Sequence, residues 1–441
     1  MMEFILPIVL LAEFFSGSGV PAIIKYAPEL CGIAASTYVV VHAVRHGFAK
    51  IRFTYWVLIA LIALHFLFGV IVNDVQVGTM IVGGRLYLRA IPFFLLAITL
   101  TPSEAALRKQ FFIILGIAIV QLPIAAYQKI SNVQSELMKG NISTTGDWVT
   151  GTLGQSHFLS LFLICFSTIL VVLYARKIIS VRIVVILLLI VLAPTMINET
   201  KATFFLAPLA LAIPMLAYAS RHRVKNIFMT FILLIGFLSI FIPTYDYFVE
   251  PRWGYGLIEF FMREGRVEGY LDKGAQVGTT DKAGRVDSVS VAFNVIRKDA
   301  TSATFGLGIG AVTESSLGRQ YEGKYYRRYG IFSGPTYARL IWEIGFLGTA
   351  FVLIVLLLVF SDARRAFRQE NAYGVIAHAY LAIIPIMILG MFYKMLLVSP
   401  GLSVCFWYYC GVIIATTQSV PNSIRATSKQ IGRIRIDHAD A

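Results

Sequence analysis

Long apolar runs separated by short polar connectors most constrain what this 441-residue chain can fold into. A helix that crosses a bilayer needs roughly 20 apolar residues to span about 30 Å of hydrocarbon. The chain is 57% hydrophobic and only 14% charged, with a mean hydropathy of +0.75, which exceeds what a soluble domain tolerates. The runs are continuous and do not alternate, so they predict helices and not barrel strands. The predicted fold is an all-α, polytopic integral membrane protein.

The apolar runs predict about twelve transmembrane helices. They cover residues 5–15, 30–41, 55–72, 87–101, 111–127, 158–174, 183–197, 204–218, 227–242, 340–360, 373–397 and 402–415. The first run is short and carries Glu13 near its end, and no small-residue cleavage pattern follows, so it predicts a retained span and not a signal peptide. The chain then divides into spans within 1–243, one large polar loop with short helices at 244–338, further spans within 339–418, and a basic tail at 419–441.

Lysine and arginine residues mark alternate connectors, and by the positive-inside rule those connectors are predicted to be cytoplasmic. Both termini then lie in the cytoplasm and the large loop lies outside it. The net charge of +14 follows in large part from this topology signal, and the basic tail can also touch anionic lipid, so no nucleic-acid partner is expected. The marking residues are Arg45, Lys50, Arg52, Arg108, Lys109, Arg176, Lys177, Arg182, Arg221, Arg223, Lys225, Arg364, Arg365 and Arg368.

Several kinds of chemistry have no motif in this sequence. The four cysteines, Cys31, Cys165, Cys405 and Cys410, lie in apolar runs without metal-binding spacing, and packing is their expected role. The sequence contains no HExxH, P-loop or GxSxG, which argues against zinc hydrolysis, nucleotide-driven transport and a serine hydrolase. A mechanism without metal or cofactor is therefore expected.

Polar groups near the predicted outer face are the candidate binding residues. Arg85 and Arg89 are one helical turn apart, so they form either a cradle for lipid phosphate or a pair of snorkelling anchors. The run GTLGQSHFLS at 151–160, which includes His157, opens a helix whose free amides accept anions. Lys201 lies where the positive-inside rule disfavours a cation, and it either serves function or pairs with Glu199.

The large loop has three parts. An amphipathic pattern at 255–271 predicts a helix in the membrane interface. A second helical pattern starts at Gly284, and GLGIGAV at 306–312 predicts a flexible turn after it. The tyrosine-rich segment 321–329, which contains Arg327 and Arg328, is suited either to stacking on sugar rings or to anchoring the loop at the interface. Tyr337 and Arg339, at the start of the next span, complete the candidate substrate-binding set.

The order of four motifs resembles the O-antigen ligase and polysaccharide polymerase superfamily. They are GTLGQSHFLS at 151–160, ETKATFFLAPLAL at 199–211, GRVDSVSVAFNVIRKDATSATFGLGIG at 284–310 and GPTYARLIWEIGFLG at 334–348. The resemblance covers roughly residues 80 to 360. It implies a lipid-facing, multi-helix glycosyltransferase that acts on a glycan attached to undecaprenyl pyrophosphate.

The resemblance also implies roles for single residues. Lys201 stands where relatives often have an arginine, and Arg285 matches the family's loop arginine; both would neutralise the departing pyrophosphate. Relatives that act as ligases carry a His-Asn pair before the following span, whereas this chain has Gly334 and Pro335. That departure favours a polymerase.

The proton acceptor is left unassigned by the resemblance. Glu343 and Asp287 are the best-placed carboxylates, with His157 as a further candidate, and Glu343 alternatively pairs with Arg339 within the helix. A strong base is also dispensable if positioning and charge neutralisation supply the acceleration.

The sequence therefore predicts an inverting, metal-independent polymerase of lipid-linked glycan repeat units on the outer face of a bacterial inner membrane. The alternatives are a ligase that moves the finished glycan to lipid A core or another acceptor, and a flippase or transporter. A sensor or assembly protein with an inert ectodomain is a further alternative. Expected partners are an undecaprenyl-pyrophosphate-linked oligosaccharide, an acceptor glycan, membrane lipids, a chain-length regulator and a flippase.

Overall fold

The computed structural model describes residues 2–15, 26–47, 51–138, 149–217, 223–263, 265, 267, 283–315, 318–394, 396 and 399–418. This part of the chain is helical and contains no strand. The predicted tail at 419–441, and residues 264, 266 and 268–271 of the predicted interfacial helix, lie outside the described residues. The protein is an all-helical, multi-pass membrane protein, as the apolar runs predicted.

The helices follow one another along the chain with short connections. Their bounds are α1 Met2–Phe15, α2 Ala27–His46, α3 Phe53–Val72, α4 Val77–Leu88, α5 Ile91–Leu100, α6 Glu104–Met138, α7 Ser156–Ala175, α8 Val181–Ile197, α9 Ala202–Ala217, α10 Arg223–Trp253, α11 Leu257–Met262, α12 Arg285–Ile296, α13 Ala300–Phe305, α14 Tyr326–Tyr329, α15 Thr336–Ala366, α16 Ala372–Tyr393 and α17 Pro400–Gln418.

Every predicted apolar run overlaps one of these helices. Among the described residues, eight helices are long and apolar enough to cross a membrane, and the pair α4 and α5, bent by 43°, makes a ninth if it is one span. Helices α8 and α9 are apolar but shorter. Helices α7, α16 and α17 lie in the centre of the bundle, whereas α2, α3 and α10 expose most of their apolar surface. In a membrane, that exposed surface faces lipid.

Contacts between connectors define one end of the bundle, which we call the connector end. Arg176 donates to the carbonyl oxygens of Phe367, Gln369 and Gly374, the last two at 2.8 Å. Asp362 is fully buried and accepts hydrogen bonds from Arg52 and from Tyr55 Oη, the latter at 2.7 Å. These contacts tie together connectors that the positive-inside rule assigned to one side.

The four motifs lie towards the other end, which we call the motif end. Here Lys129, near the C-terminal part of α6, pairs with Glu199 at 2.8 Å. The start of α15 packs against the end of α16, where Thr336 Oγ1 donates to the carbonyl oxygen of Lys394 at 2.7 Å. The antiparallel order of successive spans brings these chain ends together.

Helix α15 is interrupted at Gly345, whose φ of 65° and ψ of −170° are not helical. A break inside a span must satisfy the carbonyls it frees, because lipid offers no donors. The amide of Leu307 donates to the carbonyl of Trp342 at 2.7 Å, and His65 Nε2 donates to the carbonyl of Ile344 at 2.8 Å. A Cβ atom on Gly345 would lie 2.5 Å from the carbonyl oxygen of Thr304, so only glycine fits.

The glycine run 306–312 forms a turn, as predicted, but that turn is packed and not loose. Gly308, Ile309 and Gly310 are buried, and a Cβ on Gly83 of α4 would lie 2.2 Å from the Cα of Gly310. The preceding helix α13 is capped by Asp299, whose carboxylate accepts from the backbone amide of Ser302. That bond holds the pKa of Asp299 below its usual value. The loop is thus anchored between α4 and the break in α15.

Candidate functional site

The C-terminal end of α16 contacts the fourth motif, GPTYARLIWEIGFLG, at the start of α15. Thr336 donates both its amide and its hydroxyl to the carbonyl oxygen of Lys394, at 3.2 and 2.7 Å. Its hydroxyl oxygen also accepts from the amide of Leu396 at 2.9 Å. Tyr337 Oη donates to the carbonyl of Ile388 at 3.0 Å. The start of GPTYAR therefore fixes residues 388–394 and Leu396 against α15.

Arg285, from the third motif, contacts the same segment. It is the first residue of α12, and its Nε donates to the carbonyl oxygen of Tyr393 at 3.3 Å. Its guanidinium also lies over the Tyr393 ring, 4.1 Å from the centroid, which is a cation–π distance. The side chain is half-buried. Two separate contacts with one residue hold the guanidinium in place.

The first and second motifs meet this segment around a small cavity of about 10 Å³, which is room for about one water molecule. Its lining residues from the first two motifs are His157, Ser160, Thr200, Ala202 and Leu206, and those from the end of α16 and beyond are Gly390, Tyr393 and Leu396. The third and fourth motifs thus contact residues 388–394 and Leu396 directly, and the first and second motifs line a cavity with them. More than 170 residues separate the first motif from the fourth.

Basic residues gather at this cavity. The charges of Lys394 and Arg285 both act on the His157 imidazole. Lys201 lies between the cavity-lining residues Thr200 and Ala202, with its ammonium 4.8 Å from the centroid of Phe260. Arg285 and Lys394, which both act on His157, and Lys201, in the neighbouring chain segment that lines the cavity, are called the cationic cluster.

Three helices begin at the cationic cluster: α7 just before His157, α9 just after Lys201, and α12 at Arg285. The N-terminal ends of helices carry partial positive charge and unsatisfied amides, so they add to the positive potential. Lysine, arginine and helix N-termini together are the groups that bind phosphate oxygens. The arrangement can hold an anion.

The predicted alternative for Lys201 was an ion pair with Glu199. In the structure Glu199 Oε1 accepts from Lys129 Nζ at 2.8 Å, with both side chains largely buried. Glu199 itself adopts a positive φ of 60°, in the turn between α8 and α9. The pair with Lys129 connects α6 to that turn and so helps to position Lys201.

Glu343 belongs to a second, fully buried cluster on α15. Its Oε2 accepts from Tyr87 Oη at 2.7 Å, and its Oε1 accepts from Thr313 Oγ1 at 2.6 Å. Among the described residues it forms no salt bridge with Arg339, which was the predicted alternative; the Arg339 Nη2 instead lies 3.4 Å from Ser333 Oγ. Glu343 does not line the small cavity. Its two hydroxyl partners fasten α4 and the glycine turn to α15.

The other predicted site residues lie outside the cationic cluster. Arg89 pairs with Glu29 of α2 at 2.9 Å, and Arg85 lies 3.6 Å from the same carboxylate. Asp287 stands in the first turn of α12, where a carboxylate interacts favourably with the helix dipole. Arg327 is 79% exposed, 3.8 Å from Glu322.

The tyrosine-rich segment uses part of its aromatic surface internally. The Tyr329 ring stacks on the buried Trp342, with centroids 4.5 Å apart. Arg328 lies over the same Tyr329 ring at 5.1 Å. The segment is thereby attached to α15 through its last tyrosine.

Sequence reasoning missed Lys394 and Tyr393, which join the motifs. The sequence did contain a signal for Lys394, because it is an ionisable residue inside the predicted span 373–397. Ionisable residues within membrane spans commonly belong to functional sites. Tyr87 and Thr313, the partners of Glu343, had no signal in the local sequence.

Compared with known proteins, the chain matches no protein-family model and no curated protein sequence. Within the described residues, no group of three or more His, Cys, Asp or Glu side chains is arranged to hold a metal ion.

Proposed function

We propose that this protein is a membrane glycosyltransferase that polymerises glycan repeat units linked to undecaprenyl pyrophosphate. The observation that carries the proposal is the convergence of the four motifs on residues 388–394 and Leu396, around a cavity with Lys201, Arg285 and Lys394 near it. The four motifs carry the resemblance to the family. Residues that take part in one reaction must lie close together, and these motifs meet at one basic site. An anionic diphosphate is the ligand that such a site fits.

In the proposed reaction a hydroxyl of the acceptor glycan attacks the anomeric carbon of the donor sugar. The new C–O bond forms as the bond from the anomeric carbon to the diphosphate oxygen breaks, and undecaprenyl pyrophosphate leaves with the bonding electrons. A single displacement of this kind inverts the configuration. The cationic cluster stabilises the negative charge that grows on the leaving group, which is commonly the largest single catalytic contribution.

None of the candidate carboxylates or His157 is a good acceptor for the hydroxyl proton. Burial and the positive charges of Arg285 and Lys394 oppose protonation of the His157 imidazole, although it lines the small cavity. Glu343 is enclosed by Tyr87 and Thr313, and Asp287 stabilises the start of α12. In this scheme the proton passes to water, and positioning and charge neutralisation supply the acceleration without a strong base.

The proposed topology places the motif end outside the cytoplasm and the connector end inside it, with about twelve spans in a bacterial inner membrane and both termini cytoplasmic. Contacts of Arg176 and Asp362 support this topology, because they gather the basic connectors at one end. The large loop then covers the site from the outer face.

A polymerase is favoured over a ligase because Gly334 and Pro335 stand where ligases carry a His-Asn pair. Pro335 precedes α15, and it cannot donate a backbone hydrogen bond or exchange a proton. A flippase is the second candidate, since the break at Gly345 and the bend between α4 and α5 are features of transporters.

Proteoliposomes that contain the purified protein and a lipid-linked oligosaccharide separate these functions. Elongated lipid-linked chains support the polymerase, and they should disappear when Arg285 is replaced by Ala. Transfer to an added lipid A core identifies a ligase, whereas relocation of unchanged oligosaccharide across the bilayer identifies a flippase. Recovery of unmodified and unmoved substrate, with the protein correctly inserted, would contradict the proposal.

A further inference from the structure

A large cavity lies away from the cationic cluster, between α6, α7, α8, α16 and α17. Its volume is about 930 Å³, near the upper end of the roughly 300–1,000 Å³ typical of ligand sites. It shares no lining residue with the small cavity at the motif end. The proposed transfer reaction makes no use of it.

The walls of this cavity are apolar over a considerable length. Phe162 near the start of α7 and Arg176 just after its end both line it, which corresponds to about 21 Å along the helix axis at 1.5 Å per residue. Its walls consist chiefly of Leu, Ile and Phe side chains. A long apolar cavity of these dimensions fits an extended hydrocarbon chain.

The rim of the cavity is exposed on the outside of the bundle. Phe112, Ile178 and Ile183 line it and are 66%, 58% and 48% exposed. In a multi-pass membrane protein, exposed apolar side chains of this kind face lipid. The cavity is therefore reached from the bilayer, which limits its occupants to lipids and similar molecules.

Charged residues stand at one end of the cavity only. Arg108, Arg176 and Glu370 line this mouth, at the connector end. Arg176 already donates to three backbone carbonyls, whereas the side chain of Arg108 is exposed at the mouth. Arginine presents a planar fork of donors that matches phosphate oxygens, and basic pockets between membrane helices bind anionic head groups.

We propose that this cavity binds one anionic phospholipid, with an acyl chain along the apolar walls and its phosphate on Arg108. The apolar walls, the rim that faces lipid and the arginine at one end all fit that single occupant. The inference does not depend on the proposed transferase activity.

Native mass spectrometry of the full-length protein in mild detergent, titrated with phosphatidylglycerol or phosphatidylcholine, tests the head-group contact. We expect one tightly bound phosphatidylglycerol, and Arg108→Ala should weaken its binding about tenfold, the loss for one charge-assisted contact. Arg182→Ala is the matched control, because it removes the same charge from an exposed position outside the lining. Equal losses in the two variants, or no preference for phosphatidylglycerol in the unaltered protein, would overturn the proposal.

Photo-crosslinking of the unaltered protein tests where the lipid binds. This experiment does not depend on whether a variant folds. Phosphatidylglycerol with a diazirine in its acyl chain should label peptides that contain Phe166, Ile169 or Ile383, all of which line the cavity. Labelling confined to the outer surface, for example at Phe68 and Phe231, which are 49% and 61% exposed, would show that the lipid only surrounds the bundle.

Discussion

The two ends of the bundle use arginine in opposite ways. At the connector end, Arg176 donates to backbone carbonyls and Arg52 pairs with the buried Asp362, so each charge completes the fold. At the motif end, Arg285 and Lys394 both act on His157, and their like charges are gathered beside one cavity. Like charges that are close together repel one another, and a bound anion relieves that repulsion. The first arrangement is suited to stability and the second to binding.

The largest expected effect is on activity, at the motif end. Arg285→Ala should lower glycan polymerisation by roughly 10²–10³-fold, the loss seen when one stabilising donor is removed from a transition state. Chain elongation in proteoliposomes measures it. Arg297→Ala is the matched control, because Arg297 ends the same helix and lies over Phe293. Similar losses in both variants would mean that α12 as a whole, and not its first residue, supports the reaction.

The next effect is on stability, at the connector end. Asp362→Ala should lower the free energy of unfolding by about 3 kcal/mol, because it leaves Arg52 without its carboxylate and Tyr55 without its acceptor. Unfolding in mixed micelles measures it. Activity per folded molecule should remain normal, since Asp362 lies at the other end of α15. A loss of activity without a loss of stability would contradict the division between the two ends.

A smaller effect is expected where the loop meets the bundle. Gly345→Ala should destabilise the protein by about 2 kcal/mol, because a side chain at a positive φ is strained and its Cβ meets the Thr304 carbonyl at 2.5 Å. Gly236→Ala on α10 is the control, since no atom lies within 4 Å of its Cβ position. Thermal unfolding of both variants compares them. Equal stability of the two would show that the break in α15 tolerates an ordinary residue.

The sequence was sufficient for the features that depend on local pattern. Continuous apolar runs predicted the helices, and the pattern from Gly284 predicted α12 with Arg285 at its start. Both follow from helix periodicity and from the needs of the backbone in lipid.

Features that depend on contacts between distant residues were not predictable in this way. Glu343 is bonded to Tyr87, 256 residues earlier in the chain, and no local pattern connects the two. Lys394 was counted within an apolar span because its neighbours are hydrophobic. The glycine run was predicted to be flexible from its composition, whereas glycine also permits the close packing that buries it against α4.

The smallest expected effect concerns an arginine–carboxylate pair that is more exposed and more widely separated than the one at Asp362. Arg327 is 79% exposed and lies 3.8 Å from Glu322, so water and salt screen the attraction. Arg327→Ala should therefore change the free energy of unfolding by less than about 1 kcal/mol. Unfolding of this variant and of Asp362→Ala under the same conditions compares an exposed, widely separated ion pair with a buried, hydrogen-bonded one. A loss as large as that of Asp362→Ala would mean that Arg327 has a structural role beyond its ion pair.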